Sequence, residues 1–447
     1  MDHVGKNRQR QKERGRDPPA ICKFCFHRLQ SRRGADQLTR PQFLSDGHMA
    51  TLSQSPTDPA FVQNPYGFYR EAQQHGDISF WEDYQMPAAF SHRAVSMLLK
   101  DRRFGREIPV EMQVPPPAVL APFYAVEAHS MLELEPPRHT RLRGLVLRAF
   151  TSRRIRELSP EITQLCHEFL TAAPIASGKL TEPFDLIAQF GNKLPVIVIA
   201  RLLGVPDNMA AQLLAWSNAM VAMYQARRDT EIETRAVCAA QDFVAFMRGY
   251  IKARRSQPQD DLITHLIAAE ENGEKLSIDE LITTCILLLN AGHEATVHSL
   301  GNGVKVLLES ETPRTALAPN AIADTVEEIL RFDPPLQLFT RYAYEDVTVF
   351  DYKFKRGDQV ALMLAAANRD PAVWADPDVF NPQRNRKVNT AFGGGIHFCV
   401  GAALARLELQ IALPILFERC PTLRLAEPPR YANLYHFHGL ERLMINC

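Results

Sequence analysis

The chain predicts a mainly α protein with a small β component, and three observations carry that expectation. Apolar residues recur at three- and four-residue spacing over long stretches: Leu142, Leu145, Val146 and Phe150, then Leu281, Thr284, Cys285, Leu288 and Leu289. This is the period of helices that bury one face. Strand-like alternation is confined to Thr348 to Phe350, Tyr352 to Phe354 and Gln359 to Met363, with Arg356-Gly357-Asp358 as the turn, and to a weak stretch from Leu440 to Ile445. A hydrophobic fraction of 46% and an aromatic fraction of 9% over 447 residues suit a sizeable buried core.

From the N-terminus, residues 1–48 hold 11 Lys or Arg against 5 Asp or Glu, which leaves 40 against 46 for the remainder. The segment has no sustained apolar period and contains Pro18 and Pro19, so it reads as a basic, disordered extension. Met49 opens a stretch that looks like an ordinary start, so a genuine tail and an over-long start both stay open. Residues 49–447 read as a single enzyme domain. Overall charge balances at 51 basic and 51 acidic residues, which speaks against a nucleic-acid binder. No run approaches the roughly 20 apolar residues of a membrane-spanning helix, so a cytoplasmic protein without a membrane partner is expected. The eight cysteines are scattered; a reducing compartment is expected, with most thiols as buried fillers. Cys22-x-x-Cys25 lacks a second ligand pair and reads as coincidence rather than zinc.

The most informative segment is Phe392-Gly-Gly-Gly-Ile-His-Phe-Cys399-Val-Gly401, which runs into an amphipathic helix from about Ala402 to Cys420. Glycines let a backbone turn tightly and approach a flat partner, and a thiolate at a helix start gains from the dipole's positive end. A phosphate-binding loop is the alternative, but no G-K-[ST] or Rossmann pattern accompanies it. The F-G-G-G-x-H-x-C-x-G pattern resembles the cysteine loop of the cytochrome P450 family, and the resemblance extends from about Met49 to Cys447. It implies a helical triangular prism with a small β-rich lobe around one haem b (iron protoporphyrin IX), with Cys399 as the iron's thiolate ligand. Such a ligand pushes electron density onto iron and favours O–O cleavage. Phe392, Gly393, His397 and Gly401 would then line the cofactor with it.

Other segments match the same family. Glu328-Ile-Leu-Arg331 resembles its buried E-x-x-R, with Arg384 as the third, structural member; Asn368-Arg-Asp-Pro and Asp376-Pro-Asp-Val-Phe380 match the segment before the loop. Propionates need cationic or hydrogen-bonding partners when partly buried. The resemblance supplies His139 and Arg143, four apart on one helix face, together with Arg341 and His397. Ala291-Gly292-His-Glu294-Ala295-Thr296 resembles the distal oxygen-binding helix, where Ala291 and Gly292 leave room and an acid followed by threonine delivers protons. Here the position after Glu294 is Ala295, and a hydroxyl appears only at Thr296, about 100° further round the helix. Relay from Glu294 through water, a donor on the substrate, and Thr296 in a distorted turn all stay open.

The resemblance implies a monooxygenase that activates dioxygen and hydroxylates a small apolar substrate, whether terpenoid, fatty-acid-like or aromatic. No flavin, nicotinamide or iron–sulfur fingerprint is present, so electrons are expected from NAD(P)H through a ferredoxin reductase and a ferredoxin. That partner would dock on a basic face made by Arg138, Arg141, Arg148, Arg386 and Lys387. The protein is otherwise expected to act as a monomer. Substrate is expected to meet residues 105–135, 190–225, Leu287 to Thr296, Leu336 to Thr340 and His436 to His438, with Leu336, Leu338 and Phe339 apolar; Gln337, His436 and His438 read equally as polar anchors and as satisfied structural groups. Two rival functions are a haem-thiolate enzyme that uses peroxide or rearranges its substrate, and a non-catalytic haem-based binder.

Overall fold

The computed structural model describes residues 49–172, 183–225, 228–271, 273–385 and 387–447; the expected N-terminal extension, with Cys22 and Cys25, and Arg386 lie outside them. Five helices position the site. Helix α1 (Arg138–Ala149) buries His139, Leu142, Leu145 and Val146 on one side. Helix α2 (Lys193–Leu203) stops at Gly204, whose left-handed φ of 84° suits a residue without Cβ. Helix α3 (Ile278–Glu309) has 32 residues and so extends about 48 Å. It starts at a capping box in which Ser277 and Glu280 satisfy each other's backbone N–H groups. Helix α4 (Ile322–Phe332) and helix α5 (Ala402–Arg419) pack against α3 and against each other, and α2 packs along α3. Their apolar faces share one continuous core. Among the described residues, no helix is long and apolar enough to cross a membrane.

The main sheet has six strands: β1 (Thr51–Leu52), β2 (Ile78–Trp81), β3 (Met86–Ala89), β4 (Phe104–Gly105), β5 (Phe339–Ala343) and β8 (Gln359–Leu362), in the order β1-β2-β3-β8-β5-β4. Between β5 and β8, β6 (Val347–Val349) and β7 (Tyr352–Phe354) form a separate antiparallel hairpin. The Arg356-Gly357-Asp358 turn therefore does not close a hairpin as expected. It carries the chain from β7 into the main sheet, where β8 pairs antiparallel with β5 and parallel with β3. Burial explains the choice, since three of the four β8 residues are fully enclosed and belong in an inner strand. The weak alternation near the C-terminus also divides: Leu440–Arg442 pairs with Arg430–Tyr431, and Met444–Asn446 pairs with two other strands.

One of those pairings overturns part of the cysteine expectation. Register Arg424↔Asn446 and Leu425↔Ile445 folds the last residue back to the end of α5, and Cys420 and Cys447 form a disulfide with Cα atoms 5.2 Å apart. That spacing is ordinary for such a bridge. Cys166 and Cys285 are buried free thiols, as fillers should be.

A buried polar knot ties the C-terminal segment to α3. The Asp333 carboxylate accepts from Tyr66 Oη (2.7 Å), from Tyr431 Oη and from His438 Nδ1 (3.0 Å), while Asn302 on α3 donates to the carbonyls of Asp333 (3.2 Å) and His438 (2.9 Å). Burial alone would raise the Asp333 carboxyl, but the charge and hydrogen bond of His438 and the two phenols outweigh it and hold the group well below the usual carboxylate range.

Candidate active site

The glycine loop arrives at α5 in a tight fold. Cys399 N donates to Phe392 O (3.1 Å), Gly393 N to Thr390 O (2.8 Å) and Phe398 N to Gly395 O (3.2 Å). Gly393 and Gly395 take φ of 68° and 66°, and a Cβ on Gly395 would fall 2.2 Å from the Leu99 carbonyl, so only glycine lets the loop lie this close to its neighbour. Cys399 emerges exposed at the head of α5. Surrounding protein raises its thiol pKa, opposed by the N–H groups of Gly401 and Ala402 and by the charges of Arg143 and Arg406. Those N–H groups and cations are what a metal-bound thiolate requires.

Arg143 Nη2 donates to Phe398 O (2.7 Å), so this expected cofactor residue braces the cysteine loop from α1. Behind the loop, Arg406 on α5 lies 4.6 Å from the Phe392 ring centroid and is paired with Glu327 of α4, which also accepts from Asn389 (3.1 Å). Next to Glu327, Glu328 and Arg331 form a buried two-point ion pair at 2.7 and 2.8 Å. Arg384 Nε sits 3.4 Å from Glu328, and its Nη2 donates to the carbonyls of Asp376 and Val379. Arg331 bonds the carbonyls of Asn368 and Pro377, so α4 holds the whole segment that leads to the loop.

A second cluster joins His139, His397 and Arg341. The two imidazole rings lie 4.4 Å apart, His397 Nε2 is 2.9 Å from Glu135, and His139 Nδ1 is buried without a hydrogen-bond partner. Burial, then His397 and Arg143, push His139 down to about 4. Arg341 is buried and bonds its neighbour's carbonyl at Thr340 (2.8 Å). Burial first and Arg106 second pull it down to about 9, against the opposing pull of Glu135 and Glu133. Because guanidinium keeps its proton in proteins, Arg341 is a buried cation. A partly buried anion such as a propionate suits this cluster.

On α3 most of the accessible residues from Leu287 to His298 form one stripe. Leu287, Asn290, Glu294, Ala295 and His298 are partly exposed and Ala291 is exposed, while Leu288, Leu289, His293, Thr296, Val297 and Ser299 are buried. The 3.6-residue period puts the six within an arc of about 140°. Gly292 instead faces α2, where a Cβ would lie 3.8 Å from Ile199. Thr296 stands apart from the stripe and its hydroxyl donates to Gly292 O (2.9 Å) in an undistorted helix. The Glu294 Oε2 atom is 3.3 Å from His298 Nε2.

Several expected substrate contacts belong to the core. Gln337 is fully buried between Tyr69 (2.8 Å) and the Pro334 carbonyl (2.8 Å); His438 is bound to Asp333 and the Val62 carbonyl (2.9 Å); Leu338 is packed in an aromatic-rich cluster. Phe339 lies between two guanidiniums, 5.7 Å from Arg106 and 5.9 Å from Arg341. His436 remains half-buried, held down to about 4 by burial and by Arg106. On the expected docking face, Arg141 is committed to Glu274, Glu280 and the start of α3, and Arg138 donates to Ala128 O (2.9 Å). Sequence reasoning missed Arg106, Glu135, Glu327, Arg406 and His298. Only Arg406 and His298 carried a local signal, at helical spacing from the cysteine loop and the distal acid.

The described residues thus include an accessible thiol under backbone N–H groups, a buried cluster of Arg341, His139 and His397, and an accessible stripe on α3. The chain belongs to the cytochrome P450 family: the Cytochrome P450 family model matches residues 112–312 and 322–429. The biotin biosynthesis cytochrome P450 of Bacillus subtilis (strain 168) is 34% identical over 88% of this chain and 99% of its own length. Cytochrome P450 107B1 of Saccharopolyspora erythraea is 41% identical over 70% of this chain and 76% of its own. The crystal structure of P450BioI in complex with hexadec-9Z-enoic acid ligated acyl carrier protein superposes with a TM-score of 0.81 at 33% identity, covering 87% of this chain and all of that one. The chain is thus an oxidoreductase of the monooxygenase class, and its family implies haem.

Proposed function

We propose that this protein is a haem-thiolate monooxygenase in which Cys399 ligates the iron, electrons come from NAD(P)H by way of a ferredoxin reductase and a ferredoxin, and an apolar organic molecule is hydroxylated. The observation that carries the reading is the exposed Cys399 sulfur beneath the Gly401 and Ala402 N–H groups at the head of α5. Haem, when bound, supplies dioxygen activation. The chain's own residues do the rest. Gly393 and Gly395 hold the loop in its fold, Arg143 and Arg406 lower the cost of a thiolate, and Arg341, His139 and His397 receive the propionates. Ala291 keeps the distal stripe open, and Glu294 is the carboxylate on that stripe able to exchange protons.

The apolar substrate rests on Leu287, Ala291 and Leu336 as small or aliphatic groups near the stripe and the β5 approach, with His436 as the remaining polar anchor. Relatives named for biotin biosynthesis, for polyketide biosynthesis and as a vitamin D(3) 25-hydroxylase point the same way. The test is a ligand screen by haem absorbance, followed by turnover of each binder under heavy-isotope dioxygen. One labelled oxygen atom in the product is expected; products without label would favour a non-oxygenating enzyme.

A further inference from the structure

Ala295 removes the hydroxyl that would follow the distal acid, and the Thr296 hydroxyl is held by Gly292, yet Glu294 has a partner. His298 lies one turn on, 3.3 Å from the carboxylate and about 40° round the helix, on the same accessible stripe. Its ring is fixed from the other side as well. A Cβ on Gly439 would fall 1.9 Å from His298 Nδ1 and 2.2 Å from Cγ, so glycine at 439 makes the seat. Gly439 is itself held in place, because His438 is locked to Asp333 and Val62 and its carbonyl to Asn302. Nδ1 is buried with no hydrogen-bond partner, leaving Nε2 as the ring nitrogen that faces a polar group. An ordinary surface pair four residues apart contributes little and needs no such seat.

We propose that His298 is a positioning residue for Glu294, donating Nε2–H to its carboxylate and fixing it on the distal stripe in the role that the missing hydroxyl would share. The inference rests on the reading of Glu294 as the proton-exchanging group. Burial would raise the Glu294 carboxyl, but the hydrogen bond and charge of His298, and then His293, turn the net shift downward. His293, buried with neither ring nitrogen hydrogen-bonded, is the other titratable group beside it on α3. The backbone of Asn192 faces His293 from the start of α2, and His438, on the C-terminal segment, is committed to Asp333.

The test uses carbon monoxide on the ferrous holoenzyme and reads its infrared stretch, which responds to charge on the distal side, from about pH 5 to 8 around the ordinary carboxylate and histidine ranges. Wild type is expected to show little change on the acid side of this window, where the Glu294 carboxylate stays ionised. His298→Ala is expected to show a titration entering this window from the acid side, displaced upward by about one pH unit or more, a tenfold change in proton affinity. Gly439→Ala, which displaces the ring while keeping both partners, should do the same. His298→Gln retains an N–H donor and should restore the flat profile, and adding Glu294→Gln should abolish the titration. Identical profiles for wild type, His298→Ala and Gly439→Ala would overturn the role of His298. A titration that survives Glu294→Gln would overturn the assignment of Glu294 with it. The visible band of the same samples reports thiolate ligation separately, so loss of the Cys399 reading is distinguishable from either result.

Discussion

At the scale of single residues, the proposed cofactor site holds buried polar groups whose partners are incomplete. Arg341 is buried with a carbonyl as its hydrogen-bond partner, and His139 keeps an unbonded Nδ1. Hydrogen bonds between charged groups contribute about 1.5–3 kcal/mol each, so Arg341→Ala is expected to speed haem loss to an acceptor globin by roughly tenfold to a hundredfold. An unchanged transfer rate would remove Arg341 from the cofactor site. Glu408 gives a residue-scale prediction of a different kind. It is buried on α5 with Oε2 unpartnered, and burial pushes its carboxyl up to about 8. Below the usual carboxylate pKa it is neutral in both the folded and unfolded chain. Between there and about 8 only the unfolded chain ionises, so wild type should lose stability as pH rises, by at most roughly 4–5 kcal/mol. Glu408→Gln should flatten that slope in thermal melts taken from pH 4 to 8; parallel slopes would show that Glu408 is charged in the fold.

At the scale of elements, α4 carries the cysteine loop although it contributes no group to the chemistry. Glu328 binds Arg331 at two points, receives Asn381 N (2.9 Å) and is approached by Arg384, while its neighbour Glu327 holds Arg406 over Phe392. Removing one member of a buried pair leaves the other charge unpaired. Glu328→Ala should therefore cost about 3–5 kcal/mol and show as low haem content in purified protein, whereas full haem occupancy at wild-type stability would contradict the bracing role. These elements were unequally visible in the sequence. The glycine loop, the helix that follows it and the Glu328–Arg331 spacing are local patterns, and local patterns can be read directly; α5 is buried nearly all round rather than on the single face expected, because α3, α4 and other helices enclose it. Gln337 and His438 could be read from the sequence as pocket anchors or as satisfied structural groups, and the choice was not legible because nothing local reveals that Tyr69, Asp333 and Val62, each more than a hundred residues away, satisfy them. The Arg356-Gly357-Asp358 turn was placed correctly but joined to the wrong pair, since hairpin register depends on which strand is enclosed.

At the scale of the whole molecule, the two termini of the described chain meet around α3. Tyr66 near the beginning and Tyr431 and His438 near the end converge on Asp333, and the Cys420–Cys447 bridge closes the last strand onto α5. That convergence seats Gly439 against His298 and so connects the remote C-terminal segment to the distal face. No sequence period encodes such a contact, which is why the Ala295 departure was legible while its structural counterpart was not. The mainly helical architecture and the small sheet were legible because period and strand alternation are properties of short windows.

The central claim is that Cys399 ligates haem iron as a thiolate, and the ferrous carbon monoxide spectrum tests it most directly. Wild type should give the red-shifted Soret band of thiolate ligation, and Cys399→His, if it retains haem, should move the band to the histidine-ligated position. A histidine-like band in freshly prepared wild type, or a red-shifted band that survives Cys399→His, would contradict the account.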